Sequence, residues 1–395
     1  MRILMVLENE FPPDSRVEKE IISLEMTGYN VVLLCYADSQ HPRLGNYKNI
    51  KIEKLKLNKQ IKKKLEALNL IFPFYRWLWI YKIKKLRKKY EFGAIHIHDL
   101  PLSKVGYYFK KKYGLKFVCD QHEFYSNWIV HTAHYNTFLG KIVKKMSNWQ
   151  RYEKKYLSLA DLVLTVSVPL KYKYLQNYPI SPEKIVNLPN TPSRRVFNSQ
   201  NVYPSIINRF KDDYVLFYAG GIDKLRGLDF ILGSLQALKK TIPNIKFVIA
   251  GRIYKGYDLF SSIKHFEVED LVDYVGFVNL EKLPSYIMAA KICVFTPNLG
   301  REEIHKTIAT KIYQYLVMKR PIIVNKAKMM AEFVENNNIG FSVNDQQEFI
   351  IRVTQLYHSN SKYNELVNNE MNIANKYYWE KTASRFLKAY KKYVG

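Results

Sequence analysis

The pattern that most limits how this chain can fold is a strand-then-helix alternation that runs twice. "RILMVLE", residues 2–8, is an apolar run suited to a strand buried on both faces. "NEFPPDS" interrupts it, and Ser15 followed by Glu18 reads as a capping box that satisfies free N–H groups at a helix start. Val17, Ile21, Ile22 and Leu24 then recur at helical spacing, and Gly28 ends the helix. "NVVLLCY", "AIHIHD", "KFVCD", "DLVLTVS" and "KIVNLPN" continue the strands, with helical segments between them. A second series starts near residue 213 with "DYVLFYAGG" and the helix "LRGLDFILGSLQALKK". It goes on through "IKFVIAG", "VDYVGFV", "ICVFTPN" and "RPIIVN". Such alternation predicts parallel sheets covered by helices. The 395 residues are too many for one ordinary core and suit two domains. The expected class is α/β, with two doubly wound Rossmann-like domains joined through the Pro-, Asn- and Ser-rich "PNTPSRRVFNSQNVYPS".

In such sheets ligands bind beyond the carboxyl ends of the strands, and the cleft between two facing domains is the natural site. The candidates are therefore Glu8 to Arg16, His98, His122, Gly220 to Arg226, Gly251 and Asn298 to Lys311. In "YAGGIDKLRG", Gly220 and Gly221 let backbone N–H groups approach oxygens, and Lys224 and Arg226 supply cations for a diphosphate. Gly-Gly turns beside a surface lysine are also commonplace, so this stretch alone assigns nothing. Lys306, Thr307, Thr310 and Lys311 cluster where a further helix should begin. Threonine capping with solvent-facing lysines would explain them, but a lysine in the first turn opposes the helix dipole, and an anion bound there resolves the conflict. His96 and His98 share one face of a strand; with no third ligand at a sensible spacing, they read as buried and hydrogen-bonded.

Charge narrows the partners. Lys+Arg number 62 against 35 Asp+Glu, a net +27, and residues 51–90 alone carry 14 − 2 = +12. An anionic partner follows: nucleic acid, an acidic membrane surface or a phosphorylated substrate. Nucleic acid rests on charge alone and is not expected. Cys35, Cys119 and Cys293 stand far apart, which argues against a disulfide framework or a zinc site and fits a reduced, cytoplasmic compartment. Acid at Glu8 comes too early for a signal peptide, and no apolar run approaches the ~18 residues of a membrane span.

Taken in order along the chain, these stretches resemble a retaining glycosyltransferase of family 4, with the two-domain GT-B fold. "SRVEKEIISLEMTGYNVVLL", "IHIHD", "DQHEFYS", "ADLVLTVSVPLKYKYL" and "IVNLPNTP" are similar to its first domain. "YAGGIDKLRGL", "FVIAG" and "TKIYQYLVMKRPIIV" are similar to its donor-binding half, and "YYWEKTASRFLKAYKKYV" to the closing helix that crosses back. The resemblance implies a first, acceptor-binding domain at 1–195, a second, donor-binding domain at 205–375 and a crossover helix at 376–395 packing on the first domain. It implies a UDP-, GDP- or ADP-sugar held by Gly220, Gly221, Lys224, Arg226, Gly251, Phe277, Asn298, Lys306, Thr307, Thr310, Lys311 and Gln314. Acceptor contacts fall to Pro13, Asp14, Ser15, Arg16, His98 and Glu123. His122 matches the family histidine near the donor sugar and joins Arg226 and Lys311 as a catalytic candidate. Gly221 sits where many relatives carry arginine. Lys306 and Gln314 stand where the family has two glutamates, the second of which holds the ribose hydroxyls.

The expected reaction is transfer of a sugar, with retained configuration, to a cell-envelope, exopolysaccharide or lipid-linked glycan acceptor. A catalytically silent relative that binds sugar nucleotide or lipid and supports a partner enzyme is the alternative, motivated by the two absent carboxylates. "KDDY" precedes a strand and reads as a turn, so no essential metal and no other cofactor is expected. The basic, aromatic stretch 59–90 suits docking on an anionic membrane, and the resemblance, with its lipid-linked acceptors, points the same way to the inner face of the plasma membrane. The same stretch also suits a helix whose aromatics pack on the sheet while its lysines face water.

Overall fold

A computed structural model describes residues 1–12, 14–39, 50–122, 125 and 146–395. The chain divides into two compact units, Met1–Pro189 with Thr382–Gly395, and Asn190–Lys381. In the first, β1 (Arg2–Glu10), β2 (Asn30–Asp38), β3 (Lys51–Leu57), β4 (Ala94–His98), β5 (Lys116–Gln121), β6 (Leu162–Thr165) and β7 (Ile185–Asn187) form one parallel sheet. Its order is β3-β2-β1-β4-β5-β6-β7, so the winding reverses between β1 and β4. Ile3 to Leu7 of β1 are fully buried, as a strand covered by helices on both faces requires.

The second unit repeats the plan. β8 (Tyr214–Ala219), β9 (Ile245–Ala250), β10 (Val272–Gly276), β11 (Ile292–Phe295), β12 (Ile322–Asn325) and β13 (Gly340–Val343) run in the order β10-β9-β8-β11-β12-β13, with the reversal between β8 and β11. In both units the reversal opens a crevice at the carboxyl ends of the two central strands.

Sequence and structure differ at the margins of these elements. β3 and β13 are strands that the apolar pattern does not mark. β3, "KIEKLKL", is an edge strand interrupted by lysines, as exposed edges commonly are. β13 is an edge strand of only four residues. The first helix, Ser15–Glu25, is capped by Asp14 and not by Ser15: the Asp14 carboxylate accepts from the N–H groups of Arg16 and Val17, both at 3.1 Å. The helix expected from Leu225 begins instead at Leu228, because Gly227 takes φ +70°, and Lys224–Arg226 form a separate tight turn.

The final helix, Trp379–Tyr393, starts in the second unit, where the Trp379 N–H donates to the Pro192 carbonyl at 2.8 Å. From Thr382 on, the chain belongs to the first unit. There Tyr390, fully buried, meets Phe386 and Tyr29 edge-on and bonds His96 Nδ1 at 2.7 Å. Burial, helped by His98, holds the His96 pKa well below 6.5, and burial drives that of Tyr390 well above 10.0. The imidazole is thus neutral, and the hydroxyl donates to Nδ1. Tyr390→Phe leaves that nitrogen buried without a donor and is expected to lower the unfolding free energy by about 1–3 kcal/mol. Urea denaturation checks this; an unmoved midpoint removes the bond from the fold's support.

Candidate active site

In the second unit, the loop after β8 and the helix Thr310–Val317 bring two of the predicted cations, Arg226 and Lys311, near each other. Tyr218 Oη donates to the Gly221 carbonyl at 2.7 Å, and Tyr315 Oη accepts from the Ala219 N–H at 3.1 Å, so two tyrosines fix the turn. A side chain at Gly220 would strike the Lys311 ammonium, and one at Gly251 would overlap the Gly220 carbonyl. Glycine is therefore what lets this backbone close over the lysine. The turn that carries Lys224 and Arg226 is tied to the loop after β11 by two bonds. Asn298 N–H donates to the Leu225 carbonyl at 2.9 Å, and Thr296 Oγ1 to the Gly227 carbonyl at 3.1 Å.

Lys311 Nζ lies 3.9 Å from the Tyr218 ring centroid and 4.0 Å from that of Phe295. Among the described residues it has no carboxylate partner. Burial, then the nearby Arg226 charge, holds its pKa well below 10.5, with Asp223 opposing weakly. Ala309 caps the helix without a side-chain acceptor, so the positive end of its dipole stays unneutralised. Arg226 Nε lies 3.5 Å from the Asp223 carboxylate. The arrangement sets an enclosed ammonium and a guanidinium near each other at a helix start.

In the first unit, His122 follows β5 and faces two carboxylates. Its Nε2 is 2.7 Å from Asp120 and its Nδ1 3.6 Å from Asp99. Burial pulls its pKa down, but Asp99 and Asp120 outweigh it and raise the value to about 10. Asp120, fully buried, also accepts from Arg16 at 2.5 and 3.2 Å and bonds His98 Nδ1 at 3.2 Å. Burial pushes the Asp120 pKa up, but Arg16 and His122 hold it well below 3.8. Glu20, one turn after Arg16, bonds its Nε at 3.1 Å. Burial and the Asp120 charge raise the Glu20 pKa to about 7. Glu20, His96, His98 and Asp120 bring ligand atoms within 4.8 Å of one another, but the Arg16 guanidinium already bonds both acids.

Both halves match known families. A family model described as "Glycosyltransferase Family 4" matches residues 21–191, and one described as "Glycosyl transferases group 1" matches residues 199–372. The chain is a family 4-like glycosyltransferase with the GT-B fold. Solved structures share that fold end to end. A sucrose-phosphate synthase from Thermosynechococcus elongatus is 15% identical with a TM-score of 0.74, covering 99% of this chain and 98% of its own. HepE of Anabaena, in complex with UDP, is 15% identical with a TM-score of 0.73, covering 99% and 100%; a further structure of it holds UDP-glucose. WaaG, a glycosyltransferase involved in lipopolysaccharide biosynthesis, is 11% identical with a TM-score of 0.67, covering 98% and 99%. No curated protein matches the chain.

In this family 4-like glycosyltransferase, the two positions for which the resemblance implied glutamates carry Lys306 and Gln314. Gln314 is part-buried within the helix Thr310–Val317. Lys306 is paired with Glu302 at the end of the turn Glu302–Lys306, with Thr307 next to it. Phe277 is exposed beyond β10, under the Arg252 guanidinium at 4.4 Å. Of the residues expected to meet an acceptor, Arg16 and His98 are enclosed and bound to Asp120, which also holds His122, and Asp14 caps a helix. Pro13 and Glu123 lie outside the described residues. Asp99 and Glu20 are the residues that sequence reasoning passed over. Asp99 left no signal beyond following "IHIH"; Glu20 left one, the i,i+4 spacing from Arg16.

The His122 pKa shift carries a pH signature. Raised from 6.5 to about 10, it contributes stability that is complete below pH ~6.5 and fades as pH climbs through ~10. Imidazole ¹⁵N NMR is expected to show His122 as an imidazolium at pH 8 and His96 neutral at pH 6. Asp120→Asn should bring the His122 titration down; a neutral His122 at pH 8 in the unaltered protein contradicts the two-carboxylate clamp.

Proposed function

We propose that the protein moves a sugar from a nucleotide diphosphate to a glycan or lipid-linked acceptor of the cell envelope, with the anomeric configuration retained, on the cytoplasmic side. The observation that carries the proposal is the uncompensated Lys311 ammonium beside Gly220, within reach of the Arg226 field and at the open start of a helix. The UDP and UDP-glucose held by HepE support a UDP-sugar as the first donor to try, and the role of WaaG supports an envelope glycan. Three free, buried cysteines suit the reducing side.

As the glycosidic bond breaks, negative charge grows on the leaving diphosphate. Fixed cations and a helix dipole stabilise that state more than the ground state, which is where rate is gained. Lys311, Arg226 and the start of Thr310–Val317 fill this role, so the proposed chemistry calls for no divalent metal. His122, held as a cation by Asp99 and Asp120, is the proposed catalytic group of the first unit. Gln314 meets the ribose with an amide, having both acceptor and donors.

A second reading rests on the replaced carboxylates: a protein that binds sugar nucleotide without turning it over. Release of UDP from donor, with and without a glycan acceptor, separates the two. A thermal-shift screen over UDP-, GDP- and ADP-sugars tests the site itself. A donor at a hundred times its dissociation constant stabilises by about 2.7 kcal/mol. Lys311→Ala and Arg226→Ala should each remove most of that shift, while His122→Ala should keep it and lower turnover by about a hundredfold. A full shift in both cation variants overturns the phosphate site; unchanged turnover in His122→Ala removes its catalytic role.

Lys311 adds a pH test. Its pKa is low in the free protein, and a bound diphosphate raises it again, so binding takes up a proton between the two values. Donor affinity is therefore expected to fall as pH rises through that window. Calorimetry in two buffers of different ionisation heat should show proton uptake that disappears in Lys311→Ala. Zero uptake in the unaltered protein at every pH shows that its ammonium does not meet the diphosphate.

A further inference from the structure

The helix Phe74–Lys89 buries Tyr75, Trp79, Ile83 and Leu86 against the sheet of the first unit. At 100° per residue these four lie on one face. Phe74, Trp77, Tyr81, Lys84, Lys85 and Lys88 fall on the opposite face, and all six are exposed. A helix side turned to water should be polar throughout; here its first half is aromatic and its second half basic. Phe74 is 52% exposed, Trp77 57% and Tyr81 60%. The turn before the helix adds Leu68, Ile71 and Phe72, also exposed. Phe72 stacks on Phe74 at 5.9 Å, and Phe74 meets Trp77 edge-on at 5.6 Å, so the rings form one outward cluster.

This corner is built to stand out. Asn69, fully buried, donates to the Pro101 carbonyl at 3.0 Å. Arg76, also buried, bonds the Asn69 carbonyl and, at 3.1 Å, its side-chain oxygen. A buried polar clamp thus fixes the turn while its apolar residues face out. From Lys59 to Lys89 the segment holds eleven Lys and Arg against the single Glu66.

We propose that this corner docks the protein on an anionic lipid bilayer, with Ile71, Phe72, Phe74 and Trp77 inserted at headgroup depth and Lys84, Lys85 and Lys88 on the lipid phosphates. Charge selects this occupant. A second copy of the chain would set two strongly basic surfaces face to face, whereas an acidic leaflet attracts all of them. Aromatic rings flanked by lysine are the residue mixture that settles at a membrane interface. Among the described residues no helix is long and apolar enough to cross a membrane, so attachment is from one side. The proposal stands independently of which sugar is transferred.

Co-flotation of the full chain with vesicles tests it, using phosphatidylcholine alone and phosphatidylcholine mixed with phosphatidylglycerol. Binding to the mixed vesicles only, weakening as salt is raised, is expected. Lys84→Glu with Lys85→Glu should weaken it at least about 25-fold, at roughly fivefold for each lysine lost. Phe72→Ser with Phe74→Ser and Trp77→Ser should weaken it as much while leaving the unfolding midpoint of the protein unchanged. Brominated lipid should quench the unaltered protein more than Trp77→Phe. Failure to float with the mixed vesicles, equal binding to neutral vesicles, undiminished binding in both variants, or self-association abolished by the serine variant would each overturn the proposal. Loss of the donor-induced thermal shift with vesicle binding intact would count against the donor site alone.

Discussion

Asp120 is the carboxylate on which the polar interior of the first unit closes. It sits at the end of β5, fully buried, and accepts from Arg16, His98 and His122. Those partners come from the helix after β1, from β4 and from the residue just past β5. One acid therefore ties together the elements that flank the point where the sheet reverses its winding. Burial alone would protonate it; the Arg16 and His122 charges keep it ionised. Such a group is costly to remove, because three buried partners would lose their counter-charge or acceptor together.

The second unit follows the opposite rule. Lys311 is placed against two aromatic rings and a glycine turn, and among the described residues no carboxylate pairs with it. Aromatic faces attract a cation but do not neutralise it. Asp223, the nearest acid to affect it, acts less than burial and Arg226 do, so the ammonium is pushed towards neutrality. A charge balanced within the protein orients its neighbours, as at His122. A charge left unbalanced has free energy to gain from an incoming anion. The two units thus treat charge differently: one surrounds His122 with carboxylates, the other sets Lys311 against aromatic rings.

Most of the fold was legible because parallel strands covered on both faces must be apolar throughout, and eleven of these strands carry such runs. β3 escaped because lysines interrupt it at an exposed edge, and β13 because glycine and serine break its four-residue run. The turn and helix start proposed to hold the diphosphate were locatable for a related reason. Their glycines and cations lie directly after strands or at a helix start, where local sequence reports position. The His122 support was not. Asp99 acts through a backbone at φ +67°, which nothing in "HDLP" announces. Tyr390 reaches His96 from 294 residues away, and only the folded chain makes them neighbours. Asp14 took the cap from Ser15 because both are good caps and the choice turned on one residue of register.

The same distance effect bears on the pair His96 and His98, which alone offered too few ligands for a metal. Folding supplies the missing acids, Glu20 and Asp120, with all four ligand atoms inside 4.8 Å. Yet the charge such a cage would want is already there. The Arg16 guanidinium bonds both carboxylates, and His122 adds a second cation against Asp120. A divalent ion entering the cluster would have to displace a buried arginine and leave it unpaired. Repulsion from Asp120 together with burial holds the Glu20 pKa near 7, which marks an acid that lacks a full cation of its own. Arg16 is shared between two acids, its stronger bond goes to Asp120, and Glu20 relieves the deficit by keeping a proton close to neutrality.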